Sequence, residues 1–272
     1  MPFPFSYFAQ IMTPRRIFAS RKSYKWWQIV ISLVFLNSLI LMPVSLHYAS
    51  LKTYDMERIV SKGLNAVTDE TYQALQVGQI SENQFTGEPV SIEGTDAVVS
   101  VLPTKAEQQK IATSGKYCLV LTRDKWIFTY PNGHSLEALI SGQQDLSTLK
   151  TKRDVRDFIN QQWFVSHKAD VFLFLILVYT AFLYVGSILL LVAGSVTLYL
   201  TRKAGIFDLK TLKECFGLLL NCMGLPSFLA IVMACLGLVD NPILLMNVQI
   251  FGSILMMMLV LYRTGFKDYK NK

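Results

Sequence analysis

Four long apolar stretches set the limits on what this chain can fold into. Each can form a helix that crosses a bilayer core, which takes about 20 apolar residues. They run from Trp26 to Tyr48, from Asp170 to about Leu200, from about Phe216 to Val239 and from Pro242 to Tyr262. The second has no acid or base after Asp170. The segment between the first two, residues 49–169, is too polar to cross. Only 17% of the chain is charged, against about 25% for soluble domains.

The charges then give an orientation. Residues 1–25 carry Arg15, Arg16, Arg21, Lys22 and Lys25 with no acid. The 201–215 connection carries Arg202, Lys203, Lys210 and Lys213, and the 263–272 tail carries Arg263, Lys267, Lys270 and Lys272. Residues 49–169 hold slightly more acids than bases, and the 240–241 turn has no base. Lys and Arg in short loops stay on the cytoplasmic side. The expected layout is therefore a cytoplasmic N-terminus (1–25), a first span (26–48), an extracytoplasmic domain (49–169) and a second span (170–200). A cytoplasmic loop (201–215), a third span (216–239), an outer turn (240–241), a fourth span (242–262) and a cytoplasmic tail (263–272) follow. This accounts for the net charge of +7 without nucleic acid as a partner.

The opening stretch, residues 15–48, resembles a secretion signal in its basic start. A signal's apolar core is only about 7–15 residues and ends at a small-x-small site. Here the core is longer, and His47 and Tyr48 crowd the one candidate cleavage point before Ala49. Trp26, Trp27 and Tyr48 sit where interfacial rings are favoured. A retained signal anchor is the preferred reading, with cleavage as the alternative.

Within residues 49–169, Met56, Ile59, Val60, Leu64 and Val67 recur at helical spacing, and a short second helix passes through Tyr72 and Leu75. "AVVSVLP" reads as a strand, and the runs 117–121 and 126–130 read as a hairpin ahead of a "PNG" turn. These predict a small antiparallel sheet of three or four strands. Val155, Phe158, Ile159 and Trp163 share one face of a helix whose start, Thr151 with Asp154, has capping-box spacing. The fold class expected is a multi-pass α-helical membrane protein with four transmembrane helices and a small α+β domain between the first two.

Candidate functional residues are few. Trp126, Phe128 and Tyr130 alternate along one strand, as a sugar-stacking platform or as ordinary sheet core. Asn37, Asn221, Asn247 and Gln249 put amides inside the spans, where such groups hydrogen-bond to neighbouring helices. Gly224 and Pro226 mark a hinge or a packing kink in the third span. Asp154 and Asp157 suit a helix start better than acid–base work, and His134 and His167 are isolated. Cys118 is alone in the polar segment, so no disulfide is expected there. The sequence lacks a Walker loop, a G-x-S-x-G elbow and an H-E-x-x-H helix. No catalytic, cofactor-binding or metal-ligating residue is assigned, and no cofactor.

The stretch "TPRRIFASRKSYKWWQIVISLVFLNSLILMPVSLHYASL", the "LVLTRDKWIF" hairpin and the "CMGLPSFLAI" segment resemble a Firmicute family of polytopic membrane proteins. That family includes streptococcal maltodextrose utilization proteins. The resemblance implies a Gram-positive plasma membrane and a link to maltodextrin use, and it brings no functional residues. The reading is a non-enzymatic accessory or sensor in the lipid bilayer. Its partner would be a membrane protein such as a sugar-transport permease, or a second copy. The alternative is an oligomeric transporter or channel component for a small solute.

Overall fold

A computed structural model of the chain describes residues 5–58, 64, 67–69, 71–76, 78–239 and 241–268. The chain opens with helices α1 (Phe5–Gln10), α2 (Pro14–Ala19) and α3 (Trp26–Ala49). Next come α4 (Thr71–Leu75), strands β1 (Gln79–Ser81), β2 (Gln84–Thr86), β3 (Val90–Glu93) and β4 (Ala97–Val101), and helix α5 (Lys105–Ala112). Strands β5 (Tyr117–Leu121), β6 (Lys125–Thr129), β7 (Ser135–Leu139) and β8 (Gln144–Asp145) lead to α6 (Lys152–Ser166). The long helices α7 (Lys168–Leu200), α8 (Leu212–Cys235) and α9 (Pro242–Thr264) complete it. Two compact units result: a helical unit of Met1–Ser50 with Leu173–Lys272, and an inserted unit of Leu51–Phe172.

In the helical unit, α3, α7, α8 and α9 are each long and apolar enough to cross a membrane. Local chemistry sets their ends. The Thr211 hydroxyl accepts from the Glu214 amide while the Glu214 carboxylate reaches back toward it, so α8 starts at Leu212. That is four residues earlier than the apolar run alone implies. Asn241 caps α9 by accepting from the Ile243 amide at 2.9 Å, with Pro242 in the first turn. Gly265, at φ 57°, ends it in the left-handed conformation that glycine adopts without strain.

Helix α8 is the most enclosed of the four and α7 the least. Helices α8 and α9 approach closely because Gly252 has no side chain: a Cβ there would lie 2.8 Å from Cβ of Pro226. The α8 helix runs continuously through Pro226.

In the inserted unit, the main sheet has five strands in the order β3-β4-β5-β6-β7. The β4 and β5 strands pair in parallel, with Val99 opposite Leu119, and the other neighbours are antiparallel. A second sheet, β2-β1-β8, has three strands. This corrects the expectation of one small antiparallel sheet. A parallel pair needs a crossover connection, and α5 supplies it, started by a capping box of Thr104 and Glu107. The β1–β2 hairpin turns at Glu82 and Asn83, with φ of 51° and 61°, the backbone of a two-residue primed turn.

Helix α6 lays Val155, Phe158, Ile159 and Trp163 into the core, and its N-cap is the expected Thr151–Asp154 box. The helix through Tyr72 and Leu75 is α4. The earlier helical pattern around Ile59 and Val60 lies outside the described residues, as does Asp240 of the expected outer turn.

Candidate functional site

The six polar or hinge positions singled out along the apolar stretches fall into three places. At the first, all four long helices meet. Ser187 of α7 donates to Asn37 Oδ1 of α3 at 3.0 Å. Gln249 of α9 donates from Nε2 to the same oxygen at 3.1 Å and to Ser227 Oγ of α8 at 3.1 Å. All four side chains are buried. Asn37 Nδ2 and Gln249 Oε1 have no partner among the described residues. In an apolar surrounding such groups cost free energy unless paired, so this knot fixes which faces of the four helices turn inward.

At the second place, Asn221 binds the segment that precedes α3. Its Oδ1 accepts from the Tyr24 hydroxyl at 2.6 Å, and its Nδ2 donates to Ser20 Oγ at 3.0 Å and the Ile17 carbonyl at 3.3 Å. Tyr7 donates to the Leu220 carbonyl at 3.0 Å. Gly224 belongs here as a contact point, since a Cβ on it would lie 2.8 Å from both Ile11 and the Tyr7 hydroxyl oxygen. At the third place, Asn247 and Pro226 line an open apolar groove between α8 and α9, beside Leu229, Phe251 and Leu255.

Arg21 was hidden within the basic cluster of the sequence. It is only 1% exposed. Its guanidinium lies 3.7 Å from the centre of the Phe18 ring and donates to the Phe18 carbonyl at 2.8 Å, the Asp208 carbonyl at 3.0 Å and Asp268 Oδ1 at 2.6 Å. Glu214 lies 3.5 Å from its Nε. One arginine thus gathers the N-terminal segment, the connection before α8, the start of α8 and the segment after α9. Phe18 stacks on Phe266 across the same junction. The signal available in the sequence was the set of lone acids, Asp208, Glu214 and Asp268, among bases.

In the inserted unit, Trp126 and Phe128 are at most 2% exposed. Trp126 meets Phe158 of α6 edge-on at 5.8 Å, and Tyr130 meets Tyr117 edge-on at 6.2 Å. Trp126 and Phe128 are sheet core, which corrects the stacking-platform expectation. Their alternation on β6 arises because the strand buries that face beneath α6.

The surface of this unit has clefts of differing chemistry. One, of about 430 Å³, is bordered by Lys116, Lys152, Arg156 and Asp96. Another, of about 460 Å³, runs between β3–β4 and α5 past Glu93, Glu107 and Lys110. A third, about 620 Å³, is lined by Tyr54, Asp55, Gln144, Asp154, Asp157, Asn160 and Gln161, with no Lys or Arg among its described lining residues. Arg153 pairs with Asp157 at 3.8 Å. Asn160 Oδ1 accepts from the Met56 amide at 3.2 Å and so fastens the 53–56 strand of chain to α6. Hydrogen bonds from the Thr151 hydroxyl and from the Lys150 and Thr151 amides hold the Asp154 carboxyl below the usual carboxylate range. It is therefore ionised at neutral pH. No group of three or more potential metal ligands occurs among the described residues.

The chain has a relative that matches it end to end. It is 25% identical over 274 residues to the Maltodextrose utilization protein MalA of Streptococcus pneumoniae, with 98% of each chain covered. The resemblance drawn from the opening stretch, the β5–β6 hairpin and the middle of α8 is met by this similarity. Because the pneumococcal MalA is covered over nearly its whole length, the similarity takes in the helical unit and the inserted unit alike. No protein-family model matches the chain. No solved structure matches it either.

Proposed function

We propose that this protein is a multi-pass protein of a Gram-positive plasma membrane that supports the use of maltodextrins as a non-enzymatic accessory or sensor. In this reading α3, α7, α8 and α9 cross the bilayer. The N-terminal segment, the connection before α8 and the tail face the cytoplasm, and the inserted unit is outside. The observation that carries the maltodextrin role is the end-to-end similarity to the pneumococcal maltodextrose utilization protein. The orientation is supported by the basic segments and by Arg21, which gathers all three of them at one end of the helical unit. Trp26 and Trp27, both about half exposed at the start of α3, suit that inner interface.

The outer unit meets sugar or a sugar-binding partner, and the lipid-facing sides of the helices assemble with a sugar-transport permease. Deleting the gene should slow growth on maltodextrin and leave growth on glucose unchanged. Crosslinking before gentle extraction should recover a permease in stoichiometric amount. Equal growth of the deletion strain on both sugars would refute the role.

A second reading has the helical unit move a solute as an oligomer. It is favoured by the buried amide atoms Asn37 Nδ2 and Gln249 Oε1, which have no partner among the described residues. Uptake of sugars by proteoliposomes containing this protein alone would support it, and no flux would exclude it.

A further inference from the structure

We infer that the cleft between residues 53–55, Gln144 and α6 is a binding site for a neutral oligosaccharide, with Asp157, Gln161 and Gln144 as its principal hydroxyl-binding side chains. This rests on the maltodextrin role proposed above and names the place and chemistry of recognition. Three observations lead here.

The first is the donor and acceptor inventory. The lining carries carboxylates at Asp55, Asp154 and Asp157 and amides at Gln144, Asn160 and Gln161. Asp154 and Asn160 already accept from backbone amides, which points to Asp157, Gln144 and Gln161 as the principal ligand groups. Each is a planar group presenting two polar atoms side by side, carboxylates accepting and amides doing both. Adjacent hydroxyls of a sugar ring present paired donors and acceptors at matching separation. Tyr54, half-buried at the edge, adds an amphipathic ring of the kind that covers a sugar face.

The second is charge. Three acids line the cleft, of which Asp157 pairs with Arg153 at 3.8 Å. This acidic lining disfavours an anionic ligand, and the described residues form no metal-binding group of acids. A neutral polyhydroxyl molecule fits both facts. The clefts bordered by Lys116, Lys152 and Arg156 and by Glu107 and Lys110 have mixed or positive linings and do not share this chemistry.

The third is rigidity and size. Asp154, Asp157 and Gln161 follow the three-and-four spacing that puts side chains along one helix face. That helix is locked in place by its core residues Val155, Phe158 and Ile159. Leu149 and Phe158 form an apolar floor, both at most 5% exposed. The volume of about 620 Å³ lies within the roughly 300–1,000 Å³ of small-molecule sites.

The test is calorimetric titration of the full-length protein in lipid nanodiscs with maltotriose and maltohexaose. Maltoside detergents must be absent, because their headgroups would compete. The variants are Asp157→Ala combined with Gln161→Ala, Gln144→Ala alone, and Lys152→Ala in the basic cleft. Thermal unfolding serves as the folding check. We expect saturable binding by the natural protein, a loss of tenfold or more in the double variant, a smaller loss in Gln144→Ala and none in Lys152→Ala. Binding that is unchanged in the double variant would overturn the site while leaving the maltodextrin role intact. Absence of binding by the natural protein at millimolar sugar would also overturn it. In that case the growth of the deletion strain on maltodextrin judges the broader role separately.

Discussion

Gln249 Nε2 donates to Asn37 Oδ1 across 3.1 Å, joining α9 to α3 although the two residues are 212 positions apart. The same oxygen receives Ser187, and Gln249 also reaches Ser227. Amide pairs of this kind inside membrane proteins are coupled by about 0.6 kcal/mol on average and up to roughly 1.7 kcal/mol. A double-mutant cycle of Asn37→Leu and Gln249→Leu, read by equilibrium unfolding in mixed micelles, should give a coupling in that range. Asn247→Leu, half-buried in the open groove and outside this network, should change stability by less than about 0.5 kcal/mol, as substitutions away from buried networks do.

Gly217 is where the N-terminal segment presses hardest on α8. A Cβ there would lie 2.6 Å from the Arg21 backbone carbonyl oxygen, whereas at Gly224 the nearest atoms belong to the side chains of Ile11 and Tyr7. Side chains yield more readily than backbone. Gly217→Ala should therefore destabilise by about 1–3 kcal/mol, the usual cost of overpacking, and Gly224→Ala by less. Limited proteolysis should cut the first 25 residues sooner in Gly217→Ala.

Asp268 gives the helical unit a dependence on acid. Desolvation raises its carboxyl, but hydrogen bonds from Lys22 and Arg21 outweigh it and leave the group below the ordinary value. A depressed folded-state value means that the stabilisation is complete above the unfolded value, about 3.9. It is then lost as pH falls through the lower folded one. Hydrogen exchange in the 265–268 segment should accelerate below about pH 4. In Asp268→Asn that segment should exchange faster at neutral pH and lose the acid step.

Trp126 tests the assignment of the β6 rings to the core. Trp126→Ala should cost the inserted unit about 3–5 kcal/mol, as deletion of a buried aromatic does. Trp126→Phe should cost far less, because it also removes an indole N–H that has no partner among the described residues. Thermal unfolding of the full chain, followed by exchange within residues 117–139, separates the two.

What could be read in the sequence was local or set by the solvent. The four apolar helices follow from length and composition, and the α6 start follows from Thr151 and Asp154 alone. The parallel β4–β5 pairing was not legible. Its crossover helix, α5, buries no residue and so leaves no apolar stripe in "KAEQQKIA". Strand β7, "SLEAL", is built of good helix formers and is a strand because β6 pairs with it. Helices α1 and α2 looked like part of a basic tail, yet Tyr7, Ile11, Ile17 and Phe18 are buried. Thr13 before Pro14 was the available sign. Among five bases in the first 25 residues, nothing local marks Arg21 as the one that is buried. Its partners are about 190 to 250 positions away. The cleft of about 620 Å³ joins residues 53–55 to 144 and 154–161, a closeness that only the fold creates.

The orientation of the inserted unit is the central claim of the proposed role, because in that role sugar outside the cell would have to reach it. The most direct measurement starts from a form in which all four natural cysteines are replaced. Asp124→Cys, in the exposed β5–β6 turn, and Lys267→Cys, after α9, are introduced one at a time. Intact cells are then treated with a membrane-impermeant maleimide. The account predicts that Asp124→Cys is labelled at once and Lys267→Cys only after the membrane is permeabilised. Labelling in the reverse order would put the inserted unit in the cytoplasm and contradict the account.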